Sequence, residues 1–383
     1  ITRSQKPQSL NQEFKLYFTL ADDHIFSFEA QHLDQEENPF SRAIRDRNPF
    51  TRLIPFSSSV NKYDVTQERL VHTAKLEAKL DYYYLLNDTS NINLSLGVTD
   101  VGQDFDSSFF QILDNGSLLN FNDPTFNNDV SFDFSDAYIA LNYRLRTGIF
   151  TIDPGLTLHY YKTKNTQLGT SFERNISDVR PNLRINLQFK KSESLRLTYR
   201  KNTQFTDINN LAEGFVFSNY NSIFQGNREL EAAVVNNYNL NYRSINQFTF
   251  TNIFANANYS KRSNSIQSRA NINGIDAIRT STNSNFPRET YSLSGRIDKR
   301  FKNFKLNFST RFNFSDFTNE VNNQITNSKS LNQNYSASIE TNFRDKPNFE
   351  IGYKYNINDY NNGGIENQFI TESPFARIDA YFG

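Results

Sequence analysis

The feature that most constrains this chain is a strict two-residue alternation of apolar with charged or amide side chains, repeated along almost its whole length. Residues 304–314 put Phe304, Leu306, Phe308, Phe312 and Phe314 on one parity and Lys305, Asn307, Ser309, Arg311 and Asn313 on the other. Residues 182–190 set Leu183, Ile185, Leu187 and Phe189 against Asn182, Arg184, Asn186, Gln188 and Lys190. Residues 349–358 set Phe349, Ile351, Tyr353, Tyr355 and Ile357 against Glu350, Gly352, Lys354, Asn356 and Asn358. The segments 137–146, 195–200 and 335–344 follow suit. A period of two sorts side chains onto the two faces of a β-strand, and helical spacing is nearly absent. A soluble sandwich also tolerates one apolar and one polar face, so strand and connection lengths must decide.

The pattern predicts about fifteen strands of roughly 9–15 residues, the length of a tilted membrane-spanning strand. They fall near 12–20, 24–34, 70–86, 91–101, 135–146, 149–163, 181–190, 194–201, 234–244, 248–262, 288–300, 304–316, 331–344, 348–360 and 372–382. Short turns, such as Thr147-Gly148 and Phe301–Asn303, alternate with long loops near 35–69, 102–134, 164–180, 202–233, 263–287, 317–330 and 361–371. Tight turns at one end and long loops at the other are the rhythm of an outer-membrane barrel, and a sandwich has no reason to keep it. The sequence therefore predicts an all-β protein, an antiparallel transmembrane β-barrel of the bacterial outer membrane spanning residues 1–383. Closed bacterial barrels have an even strand count. With fourteen to sixteen strands visible and the pattern still running at Ala380–Gly383, the expectation is a piece of a larger barrel or a count off by one. Tyr82, Tyr83, Tyr84, Tyr160, Tyr161, Tyr353, Tyr355 and Tyr381 sit near strand ends, where interfacial aromatics belong.

Composition narrows the function. There is no Cys, which removes thiol nucleophiles, disulfide scaffolds and Cys-ligated metals. Lys+Arg and Asp+Glu balance at 41 each, so a nucleic-acid partner is not expected. Hydrophobic content is 37%, low for a globular core, while 15% aromatics is too high for disorder. The chain does not begin with Met, so a native start is expected upstream.

No catalytic constellation emerges, and the chain is not expected to be an enzyme or to hold a cofactor or metal. His24, His32, His72 and His159 read as strand or rim histidines, His159 without an evident partner. Asp100, Asp104 and Asp106 could offer oxygens to calcium, but their spacing matches no known ligand loop, and a solvated acidic loop is the simpler reading. Gly363-Gly364 reads as a turn in a polar loop. Arg144, Arg184, Arg196, Arg200, Lys305, Arg311, Lys354, Glu340 and Glu350 share the polar parity of their strands, as do Arg146 and Lys190, and are expected to face the lumen, since charge on the lipid face is costly. They would line a solute path, touch a plug, or simply be solvated. The long loops hold Phe40, Phe50, Phe56, Phe105, Phe109, Phe110, Phe121, Phe126, Phe205, Phe215, Phe217 and Phe224. These rings either present an interaction surface or bury one another.

Two stretches carry a resemblance. Asp178-Val-Arg-Pro-Asn-Leu-Arg184 runs into Ser194-Leu-Arg-Leu-Thr-Tyr-Arg200; then Gly226-Asn227-Arg228-Glu229-Leu230 precedes Asn236-Asn-Tyr-Asn-Leu-Asn-Tyr242. This resembles the C-terminal barrel of TonB-dependent receptors of the Bacteroidetes outer-membrane barrel family, in segment order over about 135–383. Gly226, Asn227 and Leu230 match the family's loop motif, whereas Arg228, Ala232 and Ala233 depart from it. The ending Ser373–Phe382 resembles the penultimate strand. The resemblance implies a barrel of 22 strands, a further strand or two, and a plug and first strands upstream or on another chain. It also implies uptake of a solute energised through TonB, with outer-membrane lipid around the wall and a lipoprotein or other outer-membrane partner at the loops. Two alternatives are a non-transporting barrel that scaffolds an outer-membrane complex and a soluble all-β adhesin.

Overall fold

The computed structural model describes residues 2–48, 50, 53–121, 123–219, 221–274, 276–344 and 346–380. Within them the chain runs through β1 (Thr2–Ser4), β2 (Gln8–Ala21), β3 (His24–Glu37), β4 (Phe40–Arg45), β5 (Tyr63–Asn87), β6 (Ser90–Ile112), β7 (Leu118–Asn120) and β8 (Asn128–Thr147). There follow β9 (Phe150–Gln167), β10 (Thr170–Lys190), β11 (Glu193–Gln204), the single helical turn α1 (Ile208–Leu211), β12 (Phe215–Asn219), β13 (Ser222–Gln225), β14 (Ala233–Asn246) and β15 (Thr251–Ser263). The last are β16 (Ile266–Asn273), β17 (Asp276–Asn283), β18 (Arg288–Phe301), β19 (Phe304–Val321), β20 (Gln324–Thr341), β21 (Asn348–Asn362) and β22 (Ile365–Asp379).

Fifteen of these strands form one antiparallel wall in the order β2-β3-β5-β6-β8-β9-β10-β11-β14-β15-β18-β19-β20-β21-β22. Each overlaps one of the fifteen strands predicted from alternation, and most run past the predicted ends, β6 and β8 well into the predicted 102–134 loop. The other seven are short and sit in the connections at one end. Among the described residues β2 pairs only with β3 and β22 only with β21, so the wall has two edges.

Register turns the alternation into a continuous band. Leu80, Leu96, Ile139, Leu158 and Val179 lie side by side across five strands, all exposed. Leu197, Leu240, Ala257, Leu293 and Phe312 form a matching row farther round. An exposed apolar band of this extent is stable only against lipid. At the long-loop end the band closes with stacked rings. Tyr199, Tyr238, Tyr259 and Tyr291 follow at centroid spacings of 4.7, 5.8 and 4.6 Å, and Phe314 completes the row at 6.0 Å. One register step beyond them the same face carries Asn236, Lys261, Glu289 and Asp316. At the short-turn end His24 stacks on Tyr84 at 4.9 Å, with Tyr82 beside them. Of the predicted girdle residues, Tyr82, Tyr84, Tyr160, Tyr353 and Tyr355 lie on the band's face. Tyr161 instead points inward and is buried, and Tyr83 shares the inward parity. Tyr381 lies outside the described residues.

Three predicted long loops are corrected. Residues 164–180, 317–330 and 361–371 are strand, turning tightly at Leu168-Gly169, Asn322-Asn323 and Gly363-Gly364. Both residues of each turn have positive φ (52° and 70°, 50° and 62°, 60° and 91°), the two-residue hairpin geometry that suits the twist of the flanking strands. The strands continue beyond the bilayer, where both faces meet water or protein. Apolar alternation fades there, although the ladder does not.

Candidate functional site

The face opposite the band is lined with amides and charges, and the nine sequence-predicted charges fall on it in two groups. On β8–β11, Arg144 Nε donates to Asp153 Oδ1 at 2.6 Å, and Arg184 is the cross-strand neighbour of Asp153. Arg196 and Arg200 stand opposite Asn186 and Asn182. Asn142 and Asn182 occupy the space over Gly155, where a Cβ would displace their amide ends. On β19–β21, Lys305 pairs with Glu340 at 3.2 Å, and Glu340 faces Glu350, which faces Arg377. Arg311 lies between Ser294 and Asn334. The Lys354 ammonium sits 5.4 Å from the Phe375 ring. A cavity of about 490 Å³ here is lined by Asn241, Asn256, Ser294, Arg296, Arg311 and Lys354. Sequence reasoning missed Asp153 and the Arg296–Asp298 pair at 2.9 Å, because parity marks a face but not a partner.

His159 does have a partner. Its Nδ1 lies 2.9 Å from Asp136, and its Nε2 lies 3.4 Å from an Arg180 nitrogen. Arg180 pairs with Asp178 at 3.1 Å, and Lys201 reaches the same carboxylate at 2.6 Å. The rings of His159 and Phe205 pack on Tyr161 at 5.1 and 4.8 Å. The histidine is therefore held in a structural charge network. His24 belongs to the girdle, His72 faces Asp34 at 3.1 Å, and His32 is exposed on β3. Asp100 accepts from Ser135 at 2.9 Å and Asp104 lies 4.0 Å from His72. Asp106 stands opposite Asp129 in register. Burial and the charges of Asp129 and Asp104 push the Asp106 carboxyl upward. No three such side chains converge on a metal position among the described residues.

Above the band the connections fold into a cap. Phe50, Phe56, Phe109, Phe121, Phe126, Phe215 and Phe217 are buried together with Ile54, Val65 and Ile223. A second cluster joins Phe105, Val130, Phe132, Ile208, Leu211, Val216 and Leu230. The loop aromatics therefore bury one another, and the cap has a core of its own. Polar links bind it across long sequence separations. Gln67, fully buried, donates to Phe215 O at 2.8 Å and accepts from Phe217 N at 2.7 Å. The buried guanidinium of Arg45 meets Asp276 at 3.4 Å. The hairpin β16–β17 lies parallel to β13 along β17, and to the end of β19 along β16.

Gly226, Asn227 and Leu230, the residues expected to carry a loop motif, form a clasp within this cap. Gly226 N donates to Ala212 O at 2.7 Å, and Asn227 N to Asn210 O at 2.8 Å. A Cβ on Gly226 would lie 2.4 Å from Ala212 O, so only glycine allows the approach. The Asn227 side chain accepts from Glu229 N at 2.9 Å. Leu230 is buried against the cluster around α1. Arg228, one of the departures from the motif, pairs with Glu213 at 2.9 Å and donates to Thr170 Oγ1 at 2.7 Å, fixing the clasp to the β9–β10 hairpin.

A cavity of about 940 Å³ lies between this cap and the inner wall, reaching Arg69, Thr73 and Gln103 on the wall and Asn209, Val216 and Phe217 on the cap.

Solved structures share the fold. The unliganded ferric citrate transporter FecA matches at TM-score 0.52 and 11% identity, over 97% of this chain and 61% of its own. The ferric-catecholate import receptor Fiu from E. coli K12 matches at TM-score 0.51 and 8% identity, over 98% of this chain and 64% of its own. The ferric preacinetobactin receptor BauA from Acinetobacter baumannii matches at TM-score 0.50 and 10% identity, with coverages of 98% and 64%. This chain thus spans less than two thirds of each of these structures. No curated protein sequence matches it. Residues 19–382 match the outer membrane protein beta-barrel family. The lipid-facing band, the girdles and this match agree: the chain belongs to the outer membrane protein beta-barrel family and resides in the outer membrane.

Proposed function

We propose that this barrel serves TonB-dependent uptake of a solute too large for free diffusion, and that the inner-face charges line its path. The observation that carries the reading is the polar inner wall leading up to a capped cavity, in a fold shared with transporters such as FecA and import receptors such as Fiu. Arg144, Arg184, Arg196, Arg200, Arg311, Lys354, Lys305, Glu340 and Glu350 are its lumen contacts. TonB, a plug and a Bacteroidetes source belong to this proposal too, as does membership of a larger barrel of 22 strands. The two unpartnered wall edges and the greater length of the matched structures support the larger barrel.

The test is growth of a gene-deletion strain on single-solute media, with metal chelates, oligosaccharides or peptides as the limiting nutrient, beside a TonB-depleted strain. The reading expects both strains to fail on the same solute class. A second reading is a non-transporting scaffold, favoured by exposed Ile272, Val321 and Ile325 at the loop rim, where a lipoprotein partner could dock. Stable co-purification with other outer-membrane proteins and no TonB-linked growth defect would select it.

A further inference from the structure

Arg69 has an unusual setting. It lies on β5 well above the lipid-facing band, on the inner parity with Val71 and Thr73, and opens onto the 940 Å³ cavity beneath the cap. Its Nε is buried without a hydrogen-bond partner, and its guanidinium makes no ion pair among the described residues. The charge that acts on it is a like one, from Arg3, which lines the same cavity. Burial first, and Arg3 second, pull the Arg69 guanidinium below its ordinary range. The two carboxylates in the lining are engaged elsewhere. Glu37 accepts from the amides of Gln5 and Gln35, and Asp207 caps α1 by accepting from Asn210 N at 3.2 Å.

A guanidinium whose Nε is buried without a partner is costly in the empty cavity. An oxyanion beside Arg69 relieves that cost, because the planar fork of arginine matches a carboxylate or phosphate with two parallel hydrogen bonds. The rest of the lining fits an organic body attached to such a group. Val216, Phe217 and Phe224 close the cavity from the cap side, and the Gln103 amide, which donates to Thr73 Oγ1 at 3.2 Å, offers polar contacts on the wall. The volume is that of a drug-sized pocket, and most of its lining is polar.

We propose that Arg69, with Arg3 at the rim, forms an oxyanion subsite in the covered mouth, which holds the carboxylate of an organic solute whose body lies against Phe224. The inference deepens the uptake reading and rests on it only in taking the ligand to be cargo.

The experiment is ligand-observed NMR titration of the protein purified from outer membranes in detergent. The probes are phenylacetate, its neutral isostere phenylacetamide, and inorganic phosphate as competitor. Phenylacetate is expected to bind in preference to the amide and to be displaced by phosphate. Arg69→Gln is expected to weaken binding about tenfold or more, Arg69→Lys to restore part of it, and Arg3→Gln to weaken it less. Heat-modifiable gel migration matching the parent confirms that each variant is folded. Equal binding of acid and amide, or an unchanged affinity in Arg69→Gln, overturns the subsite. So does an absence of any carboxylate binding, which would mean that a protein carboxylate already neutralises Arg69. Because binding is read at equilibrium without TonB, its loss removes the subsite and leaves the uptake reading standing. A TonB-independent growth phenotype with binding intact does the reverse.

Discussion

Gln67 on the barrel wall accepts a hydrogen bond at 2.7 Å from the backbone N–H of Phe217, 150 positions later in the chain. Its amide also donates to Phe215 O, so one side chain supplies the rungs that a neighbouring strand would otherwise give β12. Replacing Gln67 by Leu leaves a buried N–H and a buried carbonyl unpaired, at a cost of about 1–3 kcal/mol. The expected outcome is a cap that opens more often over an intact wall. Trypsin should cut the 205–232 segment faster in the variant, while heat-modifiable migration stays unchanged. Equal cutting rates would show that the link contributes nothing.

Arg45 and Asp276 tie the first long connection to the β16–β17 hairpin, with Phe50 N donating to the same carboxylate at 3.3 Å. Asp276→Asn removes the negative charge beside a buried guanidinium and should cost about 1–3 kcal/mol. Hydrogen exchange is the measurement. Amides of β16 and β17 should lose protection, and those of β18 and β19 within the lipid-facing band should not.

Gly226→Ala forces a methyl group against two backbone oxygens, those of Ala212 and Asn210. Backbone cannot move aside cheaply, so the clasp should detach at a cost of about 1–3 kcal/mol. Leu230 would then leave its cluster, which an environment-sensitive dye attached at Ala232→Cys would report as a change in emission. Identical emission in the glycine and alanine backgrounds would argue against the clasp.

The two faces of the wall can be told apart at adjacent positions. Leu293 belongs to the exposed apolar row, and Ser294 lines the inner cavity. Leu293→Arg should lower folding stability in lipid vesicles by about 2–4 kcal/mol. Ser294→Arg should be tolerated, since its charge enters water. The reverse ranking in urea titrations would invert the assignment of faces.

Asp106 gives a pH dependence. Its carboxyl is raised by burial and by Asp129 and Asp104, so the folded protein holds this proton more tightly than the unfolded chain. The unfavourable contribution is present above the folded pKa, and it is relieved as pH falls through that value toward the unfolded one. Asp106→Asn should therefore raise the melting temperature at neutral pH. The gain should shrink in acid and in high salt, because the side chain is exposed.

The wall was legible because a lipid-facing strand leaves its parity in the sequence. All fifteen strands and the girdle positions of Tyr82 and Tyr84 follow from it. What stayed hidden lies where lipid no longer imposes the alternation. Asn322-Asn323 and Gly363-Gly364 both carry the composition of a two-residue hairpin, yet the apolar residues beside them, Val321, Ile325 and Ile365, stand isolated among amides and carboxylates and read as loop. His159–Asp136 and Gln67–Phe217 depend on register and on tertiary closure, which no local spacing encodes. The loop phenylalanines could be counted in advance, but whether they met water or one another was a matter of how four distant connections fold together.

The hairpin of β5 and β6 outlasts the membrane by a wide margin. From Leu76, high in the apolar band, β5 reaches back to Tyr63 in unbroken strand. At about 3.3 Å per residue and a tilt near 45°, that stretch rises roughly 30 Å. The mouth therefore stands clear of the headgroups, amid whatever sugars coat the outer leaflet. A molecule arriving from the medium meets the protein at that height, before it reaches the lipid surface.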